Sequence, residues 1–166
     1  MEAAVPLMFR FVAYVCFGLV METLCAIDAI ERLVGRAIPR RVPRKYLEGF
    51  VSAYMIPLHG LGVLFLMEPL IDTVTPLAWP FRWVIYSAGL TISEIGWGWF
   101  LDKTIGFFPW DYYSLSRWKI GKRGYSLWTL VPMWGFAGLV LEQYCGLIRY
   151  LAPFVSAYLG FGPTPG

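Results

Sequence analysis

Four apolar runs of bilayer length, joined alternately by basic and nearly uncharged connections, constrain this chain more than any other feature. A helix needs about 20 apolar residues to cross the hydrocarbon core of a bilayer. The runs fall near residues 7–29, 47–71, 81–101 and 126–148. Composition points the same way. A domain of 166 residues in water must clothe its surface in polar groups, yet charged residues are only 15% and hydrophobic ones 58%, against roughly 45–50% in soluble domains. Lipid is therefore the expected solvent. The expected fold is all-α: a polytopic membrane protein with four transmembrane helices arranged as two similar helical hairpins, all within one membrane domain spanning 1–166. An apolar stretch after residue 149 is too short to cross and is expected to be an interfacial tail, 149–166. The first run carries Glu2 ahead of it and no early Lys or Arg, so it is expected to be a retained helix and not a cleaved signal.

The placement of charge gives an orientation. Six basic residues lie between Arg32 and Lys45, and five between Lys103 and Arg123. The others are Arg10, Arg82 and Arg149. By the positive-inside rule, the first and third loops face the cytoplasm and both termini lie opposite. Basic runs held between long apolar segments suit membrane lipids as partners and argue against nucleic acid.

The chain also resembles itself. Tyr14, Glu22 and Ala26 recur as Tyr86, Glu94 and Gly98 at a shift of 72. Pro57, Gly60 and Glu68 recur more loosely as Pro132, Gly135 and Glu142, with a one-residue adjustment. Approximate repeats over 7–71 and 81–148 follow, in parallel orientation about an axis along the membrane normal.

Glu22 and Glu94 stand near the middle of their helices. A charged carboxylate there is costly, so each should face protein or water, or stay protonated. Helical spacing puts Ser87, Thr91, Glu94 and Gly98 on one face, and Tyr14, Gly18, Glu22 and Ala26 on another. Such small and polar stripes pack helices closely. With His59, Glu22 and Glu94 form the candidate intramembrane polar site. Interhelical hydrogen bonding is the alternative role for the two glutamates. The repeat leads us to expect the first and third helices as direct neighbours. Glu68, Glu142, Arg82 and Glu48 lie toward helix ends, where side chains can snorkel to water.

The third loop contains Phe-Phe-Pro-Trp-Asp-Tyr-Tyr at 107–113. Trp110, Asp111, Tyr112, Arg117 and Arg123 form a candidate loop or headgroup site. The rings are expected to seat at the headgroups, and Asp111 to contact an arginine, either Arg117, Arg123, Arg40 or Arg41, or to cap a helix. Cys16, Cys25 and Cys145 all lie in apolar stretches and read as small hydrophobes. One histidine and no Cys/His cluster exclude a multi-histidine metal site in one chain. No phosphate-binding glycine loop, dinucleotide fingerprint or hydrolase motif is present, so no cofactor is expected.

Glu94 with Gly98, then Pro109-Trp110-Asp111-Tyr112, then Trp134-Gly135 and Glu142 resembles the transmembrane protein 229 family and related bacterial proteins labelled ABC-transporter permeases of the CmpB type. The resemblance is strongest from Tyr86 to Gln143. It implies a small multi-helix membrane protein with a repeated layout. Tyr113 departs from the bacterial pattern, which has Ser there. Three functions follow as expectations: a transport-related or channel-like protein acting through a homo-oligomer or another membrane subunit; a non-catalytic membrane scaffold or assembly partner; and, ranked third, a lipid-modifying membrane enzyme using Asp111 or Glu94.

Overall fold

The computed structural model describes residues 4–39 and 44–161. In chain order they form α1 (Ala4–Asp28), α2 (Ile30–Val34), a π-helix (Leu58–Met67) continuing into α3 (Glu68–Val74), and α4 (Trp79–Thr104). A two-stranded hairpin follows, β1 (Lys119–Ile120) and β2 (Ser126–Leu127), and then α5 (Val131–Tyr158). The protein is mostly helical. Two stretches, Ala4–Ile27 and Ala53–Val74, are long and apolar enough to cross a membrane. With 26 residues in α4 and 28 in α5, these helices are longer still. Trp79, Trp83, Trp97 and Trp99 lower the mean hydropathy of α4 without shortening it.

Local chemistry sets where the rods begin and end. α2 stops at Gly35, whose φ of 73° is left-handed and whose N–H bonds to Glu31 O. Pro39 then prevents the helix from resuming. The second apolar run was expected to be helical from 47. It becomes helical only near Ala53, because Leu47 adopts a φ of 52° and Ser52 caps the first turn by accepting the Tyr54 N–H at 3.3 Å. Within this rod, Glu68 donates its N–H to Val63 O, five residues back. Pro69 comes next, lacking an N–H and crowding the carbonyl one turn behind it. The wider π turns lie just ahead of that proline.

The last run also differs from expectation. Ser126 and Leu127 are not helical but pair antiparallel with Ile120 and Lys119. The helix starts at Val131 and runs without a break through Pro153 to Tyr158. The described part of the expected interfacial tail is therefore mainly the end of α5. Pro153 itself is exposed, while Ala152 and Ser156 beside it on the helix are buried. Residues 162–166, with Pro163 and Pro165, lie outside the described residues.

α1 packs against the π-helix and α5, and α4 packs against α5. The expected direct pairing of the first and third helices is not a principal contact. α5 is their common neighbour: its Tyr144 stacks on Phe17 with centroids 4.2 Å apart and donates to Ala13 O at 3.0 Å. The core is mainly apolar but takes in carboxylates, and many large apolar side chains lie on the surface. Glu68, Glu94 and Glu142 are buried, while Met8 and Val20 on α1, Phe65 on the π-helix, Phe81 and Ile92 on α4, and Phe136 on α5 are exposed.

Candidate functional site

Polar side chains gather in two tiers between the helices. The first tier lies toward the start of α1 and of α4. Arg10 Nη1 donates to Glu68 Oε2 at 2.7 Å, and the Tyr14 hydroxyl donates to Glu68 Oε1 at 2.6 Å. On the other side, Arg82 donates to Glu142 Oε1, and the Tyr86 hydroxyl donates to Glu142 Oε2 at 2.7 Å. Each glutamate thus binds one arginine and one tyrosine from the facing helix. Snorkelling was the expectation for these glutamates and for Arg82. Glu68 is instead tied to Arg10 and Tyr14, and Glu142 to Arg82 and Tyr86, because an unpaired charge at a buried position costs several kcal/mol, roughly 3–5 when a partner is removed. The available signal was the shift of 72, which relates Arg10 to Arg82 as it relates Tyr14 to Tyr86.

Glu68 follows Gly60 by eight residues, whereas Glu142 follows Gly135 by seven. The rod before Glu68 is π-helical from Leu58 to Met67, and π turns hold more residues than α turns. Glu68 faces α1, and Glu142 faces α4.

The second tier holds the residues singled out from the sequence. Glu22 Oε1 lies 3.0 Å from His59 Nε2, with both side chains partly exposed. Glu94 is buried and its Oε2 accepts from Trp134 Nε1 at 3.1 Å. The buried Ser126 hydroxyl on β2 lies beside Glu94. His59 and Trp134 stand at equal distances from Pro57 and Pro132, so both inner glutamates meet a ring nitrogen from the corresponding place. Ser87, Thr91, Glu94 and Gly98 are all buried; on the other expected face Tyr14, Gly18 and Ala26 are buried while Glu22 is partly exposed. A Cβ on Gly18 would collide with the His59 ring, so the missing side chain makes the Glu22–His59 contact possible. Among the described residues, no lysine or arginine pairs with Glu22 or Glu94. No group of described His, Cys, Asp or Glu residues could hold a metal.

The aromatic loop closes this tier from one end. Phe108, Trp110 and Tyr113 are buried with Leu101 and Leu127. Trp110 Nε1 donates to Tyr125 O at 2.8 Å. Trp110 is therefore core, not an anchor in the headgroups, because the hairpin offers its indole both a carbonyl and an apolar seat. Tyr112 is half-buried and meets Phe50 edge-on at 6.0 Å. Asp111 is exposed at the start of a short turn. It does not contact Arg123 as expected, because Asp102 takes that arginine: Arg123 Nε donates to Asp102 Oδ2 at 3.1 Å, and Nη2 donates to Oδ1. Tyr125 adds its hydroxyl to Asp102 at 2.7 Å. Asp102, Asp111 and Arg123 share one cleft of about 270 Å³. Arg117 lies over the Trp118 ring at 4.7 Å. Arg40 and Arg41 lie outside the described residues.

Hydrogen bonds from Arg123 and then Tyr125 hold the Asp102 carboxyl below its usual range. A depressed carboxylate stabilises the fold above its unfolded pKa and loses that contribution as pH falls through the folded value. Hydrogen-exchange protection at Tyr125–Leu127, taken relative to the unstructured rate at each pH, should therefore fall in acid, below about pH 4. Asp102→Asn should show weak protection already at neutral pH and little further loss on acidification. Protection in the wild type that does not change with pH would mean this latch does not hold the hairpin.

No known protein family, curated protein or solved structure matches the chain.

Proposed function

We propose that the chain is a four-pass membrane protein that handles a proton or small cation at Glu22 and Glu94, with transport as the function of an oligomer. One observation carries this reading. The first-tier glutamates each have an arginine and a tyrosine, whereas the inner two have only ring nitrogens and a hydroxyl. Carboxylates at that depth without a fixed cation favour a proton or a mobile cation as the missing charge. The exposed apolar faces of all four rods support lipid as the surrounding solvent. The duplicated Arg–Tyr–Glu contacts support an internal repeat of two hairpins. That layout is the one implied by the resemblance to the transmembrane protein 229 family.

Topology is tested by placing single cysteines at Lys122 and Thr75 in a background lacking Cys16, Cys25 and Cys145. An impermeant thiol reagent should reach them from opposite sides; labelling of both from one side removes the four-pass orientation. Function is tested in proteoliposomes carrying an internal pH indicator. The wild type should dissipate an imposed proton or cation gradient, and Glu22→Gln with Glu94→Gln should reduce this to the level of protein-free vesicles. A second reading, a non-catalytic scaffold, is favoured by the saturated first tier, which stiffens the bundle. No flux in the wild type, together with unchanged folding of Glu94→Gln, would leave that reading standing alone.

A further inference from the structure

The two basic loops dock on one another at an exposed indole. The Thr129 hydroxyl donates to Leu33 O at 2.8 Å, tying the start of α5 to the end of α2. The Gly35 turn lies against Trp118, so that a Cβ there would sit 3.8 Å from the indole Cδ1 and Nε1. Trp118 is held in place by its N–H to Ser116 Oγ at 3.1 Å and by its carbonyl, which accepts the Trp128 N–H at 2.8 Å. The residue nevertheless remains 41% exposed.

The cations nearby divide into engaged and available ones. Arg123 is bound to Asp102, and Lys119 Nζ donates to Ser114 O at 2.9 Å. Arg36, directly after Gly35, and Arg117, stacked on Trp118, are both exposed. Among the described residues neither pairs with a carboxylate. Arg36 thus follows directly on the turn that lies against Trp118, and Arg117, from the other half of the chain, stacks on the same indole. A guanidinium fork matches phosphate oxygens in bidentate fashion, and an indole of this kind favours the headgroup depth of a bilayer.

We propose that Arg36, Arg117 and Trp118 form a site for the phosphate of an anionic phospholipid headgroup. This rests on the membrane placement proposed above, and free phosphate shares the same chemistry. A zwitterionic headgroup fits less well, because its ammonium group would approach two guanidinium groups.

The purified protein in mild detergent is titrated with phosphatidylglycerol, with phosphatidylcholine and with inorganic phosphate, and bound lipid is read by native mass spectrometry. Phosphatidylglycerol should be retained in preference to phosphatidylcholine. Arg36→Ala and Arg117→Ala should each weaken it about tenfold or more, the usual loss for removing a hydrogen bond between charged groups. Lys103→Ala and Lys122→Ala remove the same charge from exposed positions and should leave retention nearly unchanged. Equal losses in all four variants would show diffuse surface charge and overturn the site, as would equal retention of both lipids. Displacement of phosphatidylglycerol by inorganic phosphate at comparable concentration would overturn the lipid as the ligand. Alkaline carbonate extraction separates the two readings. Release of the protein from membranes defeats the membrane placement itself, while retention without lipid preference defeats only this site.

Discussion

Glu142→Ala is expected to lower folding stability by about 3–5 kcal/mol, the usual penalty for removing one partner of a buried ion pair. The carboxylate is 7% exposed and receives both Arg82 and Tyr86. Alanine would leave a guanidinium and a phenol without their common acceptor, in a place where little else can hydrogen-bond to them. The Arg82 Nε already has no partner. The change is measured by reversible unfolding in mixed micelles. The double variant Arg82→Met with Glu142→Leu removes both charges together and should recover most of the loss, since apolar replacements of a whole buried pair are often neutral or stabilising. Glu68→Ala should cost a comparable amount, because the Arg10 and Arg82 side chains are about equally exposed, at 25% and 19%. A Glu142→Ala protein as stable as the wild type would mean the clamp contributes nothing to the fold.

Gly138→Ala is the second large effect, at about 1–3 kcal/mol for an overpacked position. A Cβ at Gly138 would overlap the Cβ and ring of Tyr86, which is fully buried and hydrogen-bonded to Glu142. Tyr86 cannot turn away without abandoning that bond. α4 and α5 would have to separate, and the tightest helix pair would be lost with the clamp. Gly146→Ala on the same helix is the internal control, since nothing lies within 4 Å of its Cβ. There, alanine should be neutral or stabilise by up to about 1 kcal/mol through helix propensity. The comparison is read by thermal unfolding of the purified variants, and equal effects at the two glycines would contradict close packing of Tyr86.

Much of the helical layout was legible because apolar runs of bilayer length leave the backbone few alternatives. The errors have local causes. The segment near 126–130 is apolar enough for a helix, yet Gly121 and Gly124 supply left-handed φ values of 72° and 74° that fold it into a hairpin. That hairpin delivers Ser126 to Glu94. Periodicity cannot report this, because a short buried strand and a buried helix segment share the same apolar composition. The start of the second rod was misplaced for a similar reason, since Ser52 is a capping residue inside an otherwise continuous apolar run.

The candidate site was half legible. Spacing alone puts Glu94, Thr91 and Ser87 on one buried face, and it relates Glu22 to Glu94. It gives no partner to a long charged side chain, because an arginine near a helix end reaches water or a neighbouring helix equally well in sequence terms. The aromatic loop shows the same limit. Composition marks Phe108, Trp110 and Tyr113 as rings that must avoid water, but avoidance is satisfied equally by lipid or by a protein core. The carbonyl of Tyr125 and the side chain of Leu127 decided for the core.

The chain by itself determined that long apolar helices form, that basic residues collect in alternate connections, and that Arg10, Tyr14 and Glu22 have counterparts 72 residues later. These are properties of composition and period, which act locally along the backbone. Only the tertiary structure decided that α5 lies between α1 and α4, that each outer glutamate is shared by an arginine and a tyrosine, and that residues 58–67 wind as a π-helix ahead of Glu68. Pairing between helices depends on rotation and depth to within a hydrogen-bond length, and one inserted residue turns a helix face by about 100°.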